Sequence, residues 1–230
     1  ETGDRLMKII VAGAGIVGVS CAIWLQRAGH DVTIVDRAGP AEGTSHGNAG
    51  VLAAAAVIPV TAPGLLKKAP GMLFDKDGPL FLKWSYLPKL VPFLRHYLGY
   101  ATDTHVDHYA QSMSALLHDS LDQHRALAAG TGAEKYIGDE DYCFGYATRA
   151  AFEADAYGWE KRTKTGHAFE VVDGKTYADY DPSYGDAFEV VVRCKNHGRI
   201  SDPGKYVKAL AHHFVDQGGT LEIAEIRDVT

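Results

Sequence analysis

The sequence predicts an α/β fold that opens on a βαβ unit, and three observations carry the prediction. Leu6 to Ala12 is a short apolar run of the kind that forms a buried parallel strand. It feeds Gly13-Ala14-Gly15-Ile16-Val17-Gly18, where Gly13 permits a tight bend, Gly15 lets a ligand approach the backbone and Gly18 lets helix and strand pack closely. A helix over Ile16 to Ala28 then stops at Gly29, and a second strand, Val32-Thr33-Ile34-Val35, ends in Asp36, eighteen residues after Gly18. A glycine-rich turn alone is common. With a strand before it, a helix after it and an acid at the second strand's end, it reads as a dinucleotide site. The Gly13 to Gly18 backbone holds a pyrophosphate on the positive end of the helix, and Asp36 accepts from a ribose hydroxyl pair. An acid at that position repels a 2′-phosphate, which disfavours NADP; FAD and NAD both remain open on this motif.

After Asp36-Arg37 the chain does not run by a short loop into another helix. It enters Ala38-Gly39-Pro40-Ala41-Glu42-Gly43-Thr44-Ser45-His46-Gly47-Asn48-Ala49-Gly50-Val51, a small-residue stretch with hydroxyl and amide side chains. Such a stretch lets backbone N–H groups, Ser45 and Asn48 approach a flat polar ligand, although a surface loop would have the same composition.

Beyond Val60 the doubly wound pattern stops. Pro59, Pro63, Pro70, Pro79, Pro88 and Pro92 break the next region into short aromatic, amphipathic pieces around Phe81 to Leu87 and Leu90 to Leu98. These have the character to lie on a membrane surface with Lys83, Lys89 and Arg95 toward headgroups, but the modest basic count favours a lid or packing segment. Thr104 to Ala129 reads as one long helix, with Val106, Tyr109, Met113, Leu116, Leu117, Leu121 and Leu127 at three- and four-residue steps, a Thr104/Asp107 capping pair and a stop at Gly130-Thr131-Gly132. His105, His108, His118 and His124 lack the i,i+4 pairing of a zinc helix, so a solvated face and no metal site are expected.

Short strands are predicted around Asp141 to Tyr146, Phe169 to Val172 and Phe188 to Arg193, with a helix near Ala150 to Lys164 and a turn at Tyr180-Asp181-Pro182. They suggest an antiparallel or mixed sheet as a second layer. Asp202 as N-cap and Pro203 in the first turn start a helix with Tyr206, Val207, Leu210 and Phe214 on one face, which ends at Gly218-Gly219.

These residues together resemble the FAD-dependent D-amino-acid dehydrogenase and glycine/sarcosine oxidase family. The likeness rests on Gly13-x-Gly15-x-x-Gly18, Asp36-Arg37, and Thr44-Ser45-x-x-Asn48-Ala49-Gly50, which is similar to that family's segment beside the flavin ring. It extends to Gly198-Arg199-Ile200-Ser201-Asp202-Pro203 at a helix entry and to Gly218 to Ile226, similar to the strand that returns to the nucleotide domain and touches the adenine. In register over roughly residues 7 to 228, it covers the amino-terminal half of such an enzyme.

The resemblance implies a Rossmann-like FAD-binding domain with a mixed or antiparallel-sheet substrate domain (α+β) inserted. The expected division is 1–60 for the βαβ unit and flavin loop, 61–195 for the helical segment and substrate-domain strands, and 196–230 for the return. FAD is the implied cofactor, held by Gly13, Ala14, Gly15, Ile16, Val17, Gly18, Asp36, Arg37, Gly43, Thr44, Ser45, Asn48, Ala49, Gly50, Val51 and Ile226, with His46 and Asn48 near the ring. The implied reaction is oxidation of the C–N bond of a D-amino acid or similar small amine by hydride transfer to flavin, giving an imine and then a 2-oxo acid. A quinone or electron-transfer acceptor is favoured over oxygen. Relatives of this kind continue into a second half that holds more of the substrate sheet and an arginine for the substrate carboxylate. No arginine here takes that role from its sequence context, so a longer polypeptide or a second chain is expected to complete the site. An NAD-linked dehydrogenase and a non-catalytic subunit that keeps the nucleotide fold are the alternatives.

Composition agrees with a globular protein: 230 residues, 46% hydrophobic and 23% charged, enough for one sizeable core or two small ones. A net charge of -6 without a dense Lys/Arg cluster argues against nucleic acid. The three cysteines, Cys21, Cys143 and Cys194, are scattered and odd in number, as in a reducing compartment. Glu1 to Arg5 is short and polar, so no signal peptide is expected, and Val51 to Val60 is too short and too broken by Pro59 to span a bilayer. The expected location is cytoplasmic, with peripheral attachment to the inner face of the membrane as the variant the aromatic segment would allow.

Overall fold

A computed structural model describes residues 6–64 and 83–228. Glu1 to Arg5, Pro70, Pro79, Phe81 and Leu82, on which parts of the reading above rest, lie outside the described residues. The strands are β1 (Lys8–Ala12), β2 (Asp31–Asp36), β3 (Val51–Leu52), β4 (Ile137–Asp139), β5 (Tyr142–Tyr146), β6 (Phe169–Asp173), β7 (Val190–Cys194), β8 (Gly198–Ile200) and β9 (Thr220–Ile223). The chain forms two compact units: Glu1–Ala53 with Asp119–Tyr142 and Lys195–Thr230, and Ala54–His118 with Cys143–Cys194. The fold is α/β.

In the first unit β1, β2 and β9 form a parallel sheet in the order β1-β2-β9, with Ile9 opposite Val32 and Ile34 opposite Leu221. Its core gathers Val19, Ala22 and Ile23 from helix Ile16–Arg27, Val32 and Ile34 from β2, and Tyr206, Val207, Leu210 and Phe214 from helix Pro203–Asp216. Each of the larger of these side chains contributes about 1.5–3 kcal/mol by leaving water. The first helix ends where Gly29, at φ +91, donates to Gln26 O at 2.8 Å. The second begins where Asp202 Oδ1 accepts from Lys205 N at 2.9 Å, a cap worth about 1 kcal/mol. The first strand differs from expectation. It starts at Lys8 rather than Leu6, and Leu6 and Ile10 are each 72% exposed, because the face of β1 away from the helices carries no covering layer among the described residues.

A second, antiparallel sheet, β3-β8-β4, lies in the same unit. Val51 pairs with Arg199 and Leu52 with Gly198, so the Thr44–Gly50 loop and the Gly198–Pro203 segment, far apart in sequence, meet on one ladder. Gly50 makes this possible. At φ +64 it would place an added Cβ 2.1 Å from Ile200 O, while its own carbonyl accepts from Ile200 N at 2.7 Å.

The second unit is built on the sheet β5-β7-β6, in which β6 and β7 run antiparallel with Phe169 opposite Cys194 and Asp173 opposite Val190. Val190, Val191 and Val192 are buried. The predicted helix over residues 150–164 is two helices, Arg149–Ala154 and Ala156–Lys164, divided at Asp155. A helix over Gly174–Tyr180, capped by Asp173 Oδ1 on Lys175 N at 3.0 Å, was not expected.

The single helix predicted over residues 104–129 also divides, into Asp103–Leu117 and Ser120–Ala128. Val106 and Ala110 are buried in the second unit, and Leu121, Leu127 and Ala128 in the first, so one apolar period serves two cores and breaks between them. The start is capped by Thr102 Oγ1, which accepts from His105 N, rather than by Thr104. Asp107 instead pairs with the largely buried Lys161 Nζ at 2.5 Å. Among the described residues no helix is long and apolar enough to cross a membrane.

Candidate cofactor site

The glycine-rich turn has the geometry a pyrophosphate needs. Gly13 sits at φ +102, with nothing within 4 Å of an added Cβ, which leaves open space on its outer side. Gly18 has none: its Cβ would lie 1.9 Å from Gly13 O, so helix and turn are in backbone contact. At the helix start Val19 N makes the first intrahelical bond, to Gly15 O, which leaves the Val17 and Gly18 N–H groups outside the ladder. Ile16 N is taken by Ser45 Oγ at 2.9 Å, and Ser45 is buried. A hydroxyl twenty-nine residues away in sequence thus caps the helix, because Gly15 at the N-cap has no side chain to do so.

Asp36 ends β2 beside this turn. Its Oδ2 accepts from Ala14 N at 2.9 Å, and its Oδ1 from Ala38 N at 2.8 Å and Gly39 N at 2.9 Å. The Ala14 N–H above all, then that of Ala38, holds the carboxyl below the usual carboxylate range. A carboxylate offers about four acceptor positions, so capacity for a ribose hydroxyl remains. Arg37 is exposed and lowers the Asp36 pKa as the last of its causes. Ala41, at the strained φ of 60, donates to Ala14 O at 3.0 Å and seats the following loop on the turn.

Within the loop, Asn48 Oδ1 accepts from Gly50 N at 2.8 Å and Nδ2 donates to Thr44 O at 3.3 Å. These bonds shape the bend that delivers Gly50 to β3. Glu42 pairs with Lys208 at 2.7 Å, tying the loop to helix Pro203–Asp216. A cavity of about 210 Å³ opens beside it, lined by five of the sequence-predicted residues, Ile16, Ser45, Asn48, Gly50 and Val51, together with Leu52, His124, Ile200, Pro203, Tyr206 and Val207. Gly43, Thr44 and Ala49 are exposed and do not line it. His46 does not either: its Nδ1 lies where a Cβ on Gly204 would approach to 3.0 Å, at the start of the second helix. Ile226 follows β9 and is 43% exposed.

Of the six lining residues outside the sequence-predicted set, Tyr206 and His124 are the two with polar side chains. Tyr206 was assigned to an apolar helix face and His124 to a solvated one. In the structure His124 Nδ1 meets Tyr206 Oη at 2.9 Å, and Tyr206 is almost wholly buried. Burial lowers the His124 pKa and raises that of Tyr206, so both are neutral near pH 7. Helical spacing carries no sign of this pair, which is eighty-two residues apart in sequence. Among the described residues no group of three His, Cys, Asp or Glu side chains is placed to hold a metal ion.

Glycines that a Cβ would block, an open turn at a helix start and a strand-end carboxylate with spare acceptor positions fit a dinucleotide such as FAD. Comparison with known proteins points the same way. Residues 8–229 match the model of the DAO family, FAD dependent oxidoreductase. A D-amino-acid oxidase of Bradyrhizobium diazoefficiens is 38% identical over 217 residues, which are 93% of this chain and 51% of that protein. A D-amino acid dehydrogenase of Rhizobium rhizogenes is 32% identical over 218 residues, 92% of this chain and 52% of that protein. The chain therefore spans about half the length of the curated relatives it matches. In fold it resembles a glycine oxidase from Bacillus cereus at a TM-score of 0.59 and 18% identity, covering 97% of this chain and 49% of that one. The chain belongs to the FAD dependent oxidoreductase (DAO) family, and the cofactor of that family is FAD.

Proposed function

We propose that this chain forms the FAD cradle and part of the substrate-facing layer of an enzyme that oxidises the C–N bond of a D-amino acid or similar small amine. The observation that carries the reading is the bond from Ala14 N to Asp36 Oδ2, which locks the strand-end acid to the glycine turn, while Ile16 at the end of that turn lines a cavity with Ser45, Asn48 and Gly50. Gly13 to Gly18 would hold the pyrophosphate against the helix start, Asp36 the adenosine ribose, and Ser45, Gly50 and Val51 the stretch beyond. Asn48 acts by fixing the turn at Gly50, and Arg37, Gly43, Thr44, Ala49 and Ile226 would border the cofactor from outside the cavity. When bound, FAD supplies the hydride acceptor, and the product imine hydrolyses to a 2-oxo acid. The relatives, an oxidase and dehydrogenases of D-amino acids, support the substrate class.

The Thr44–Gly50 loop supports an acceptor other than oxygen, a quinone or an electron-transfer partner. A substrate carboxylate anchor and the rest of the substrate sheet come from polypeptide outside these residues, in the same chain or a second one. The scattered, odd-numbered cysteines Cys21, Cys143 and Cys194 support a reducing, cytoplasmic setting. The test is turnover by the full-length polypeptide with a panel of D-amino acids, glycine and sarcosine, following a dye acceptor and oxygen consumption in parallel. Dye reduction with D-amino acids and little oxygen uptake is expected; absence of turnover with every amine would overturn the reading.

A further inference from the structure

The cavity beside the glycine turn is lined by two aromatic rings that lie outside the glycine and loop motifs, His124 and Tyr206. His124, from helix Ser120–Ala128, lines it together with the loop residues Ser45 and Asn48 of the same unit. Its Nδ1 is engaged by Tyr206 Oη at 2.9 Å, whereas the second contact of that hydroxyl, to His124 O, is 3.5 Å. On the shorter contact the hydroxyl donates to Nδ1, an assignment that puts the proton of the neutral ring on Nε2. Nε2 has no partner among the described residues.

What would face it follows from the order of the parts along a dinucleotide. Asp36 marks the ribose end and the start of helix Ile16–Arg27 the pyrophosphate. The cavity is lined by Ile16 at the helix start and by Ser45, Gly50, Val51 and Leu52 of the following loop and strand, whereas Asp36 does not line it, so it would receive the portion on the far side of the pyrophosphate. In FAD that portion is a polyol chain of neutral hydroxyls leading to the flavin ring. We propose that His124, held by Tyr206, is a positioning residue that hydrogen-bonds a hydroxyl of this ribityl chain through Nε2. Burial that keeps the imidazole uncharged suits it to a hydroxyl rather than to a phosphate. The inference rests on the FAD reading above and goes beyond it by assigning a subsite to a residue outside the glycine and loop motifs.

ADP carries the ribose and pyrophosphate but no ribityl chain, so it separates the two ideas. The full-length protein is stripped of FAD, and FAD and ADP are titrated into the wild type and into His124→Phe, His124→Gln, Tyr206→Phe and Asp36→Ala. Wild-type binding of both is expected. His124→Phe should weaken FAD about fivefold or more while ADP stays within twofold, and His124→Gln, which keeps a donor, should recover part of the loss. Tyr206→Phe should give a smaller loss confined to FAD, and it serves if His124→Phe does not fold. Asp36→Ala should weaken both ligands. Equal losses of FAD and ADP in His124→Phe, or no loss of either, would overturn the ribityl assignment and leave the cradle standing. A wild type that binds neither would overturn both.

Discussion

The two compact units treat their charged groups differently. In the first, the Asp36 carboxylate accepts from three backbone N–H groups, those of Ala14, Ala38 and Gly39. In the second, Arg162 is more deeply buried and less satisfied. Its Nε donates to Ala55 O at 3.2 Å and its guanidinium lies over the rings of Trp159 and Phe144 at 4.5 and 4.8 Å, but Nη1 is buried without a hydrogen-bond partner. The carboxylate of the neighbouring Asp155 is turned to Tyr146, whose hydroxyl donates to its Oδ2 at 2.6 Å. The acid at the candidate site is thus tied to the backbone of its own unit, although His30 Nδ1 in that unit is likewise buried without a hydrogen-bond partner. In the second unit Arg162 Nη1 is buried without a hydrogen-bond partner among the described residues, although the Asp155 carboxylate lies nearby.

The comparison would be broken most forcefully if the cradle proved tolerant. Gly18→Ala should cost about 3 kcal/mol in chemical denaturation and abolish FAD retention, because the new Cβ meets a backbone carbonyl that has no room to give. Asp36→Ala should come next, at about 2 kcal/mol, through loss of charge-assisted bonds to the turn. If Asp36→Ala melts like the parent, the carboxylate is not what ties β2 to the turn.

Acid sharpens the account from a third direction. His124 and His197 both lie below the ordinary histidine value of 6.5, in each case chiefly because burial disfavours the charged ring. Unfolded chains then take up protons near 6.5 and the folded protein only at lower pH, so stability is full above that value and falls as pH drops below it. The loss should reach at most about 1.4 kcal/mol per pH unit for each ring. A double His124→Gln, His197→Gln variant should show a flatter melting temperature between pH 7 and about 5. An unchanged slope would mean that other groups set the acid limit.

The smallest effect is expected in the second unit. Arg162→Met removes a hydrogen bond and two ring contacts but also an incompletely paired buried charge, so stability should stay within about 1 kcal/mol of the parent or rise slightly. A loss as large as that of Asp36→Ala would show that the guanidinium is paired in the complete protein and would erase the contrast between the units.

These contrasts also set what could be read in advance. The turn, the strand-end acid and the Asp202-Pro203 helix start were legible because each is specified by a few adjacent residues whose backbone demands admit little choice. The pairing of Val51 with Arg199 was not, since strand register between segments so distant depends on the packing of Gly50 and Gly198 against neighbouring backbone. Nor was the break at His118–Asp119, where periodicity continues unchanged while the core it serves does not. His124 escaped for a related reason. On its own helix it looks solvated, and only Tyr206, from another helix, makes it a half-buried ring beside the cavity.

The central claim is that the first unit is an FAD cradle in the working protein. Its most direct test is to purify the full-length polypeptide without added nucleotide, record its absorbance near 450 nm, denature it and separate the released small molecules by chromatography. The account predicts a flavin spectrum and stoichiometric release of FAD; recovery of NAD, or of no nucleotide from a folded sample that also fails to take up added FAD, would contradict it.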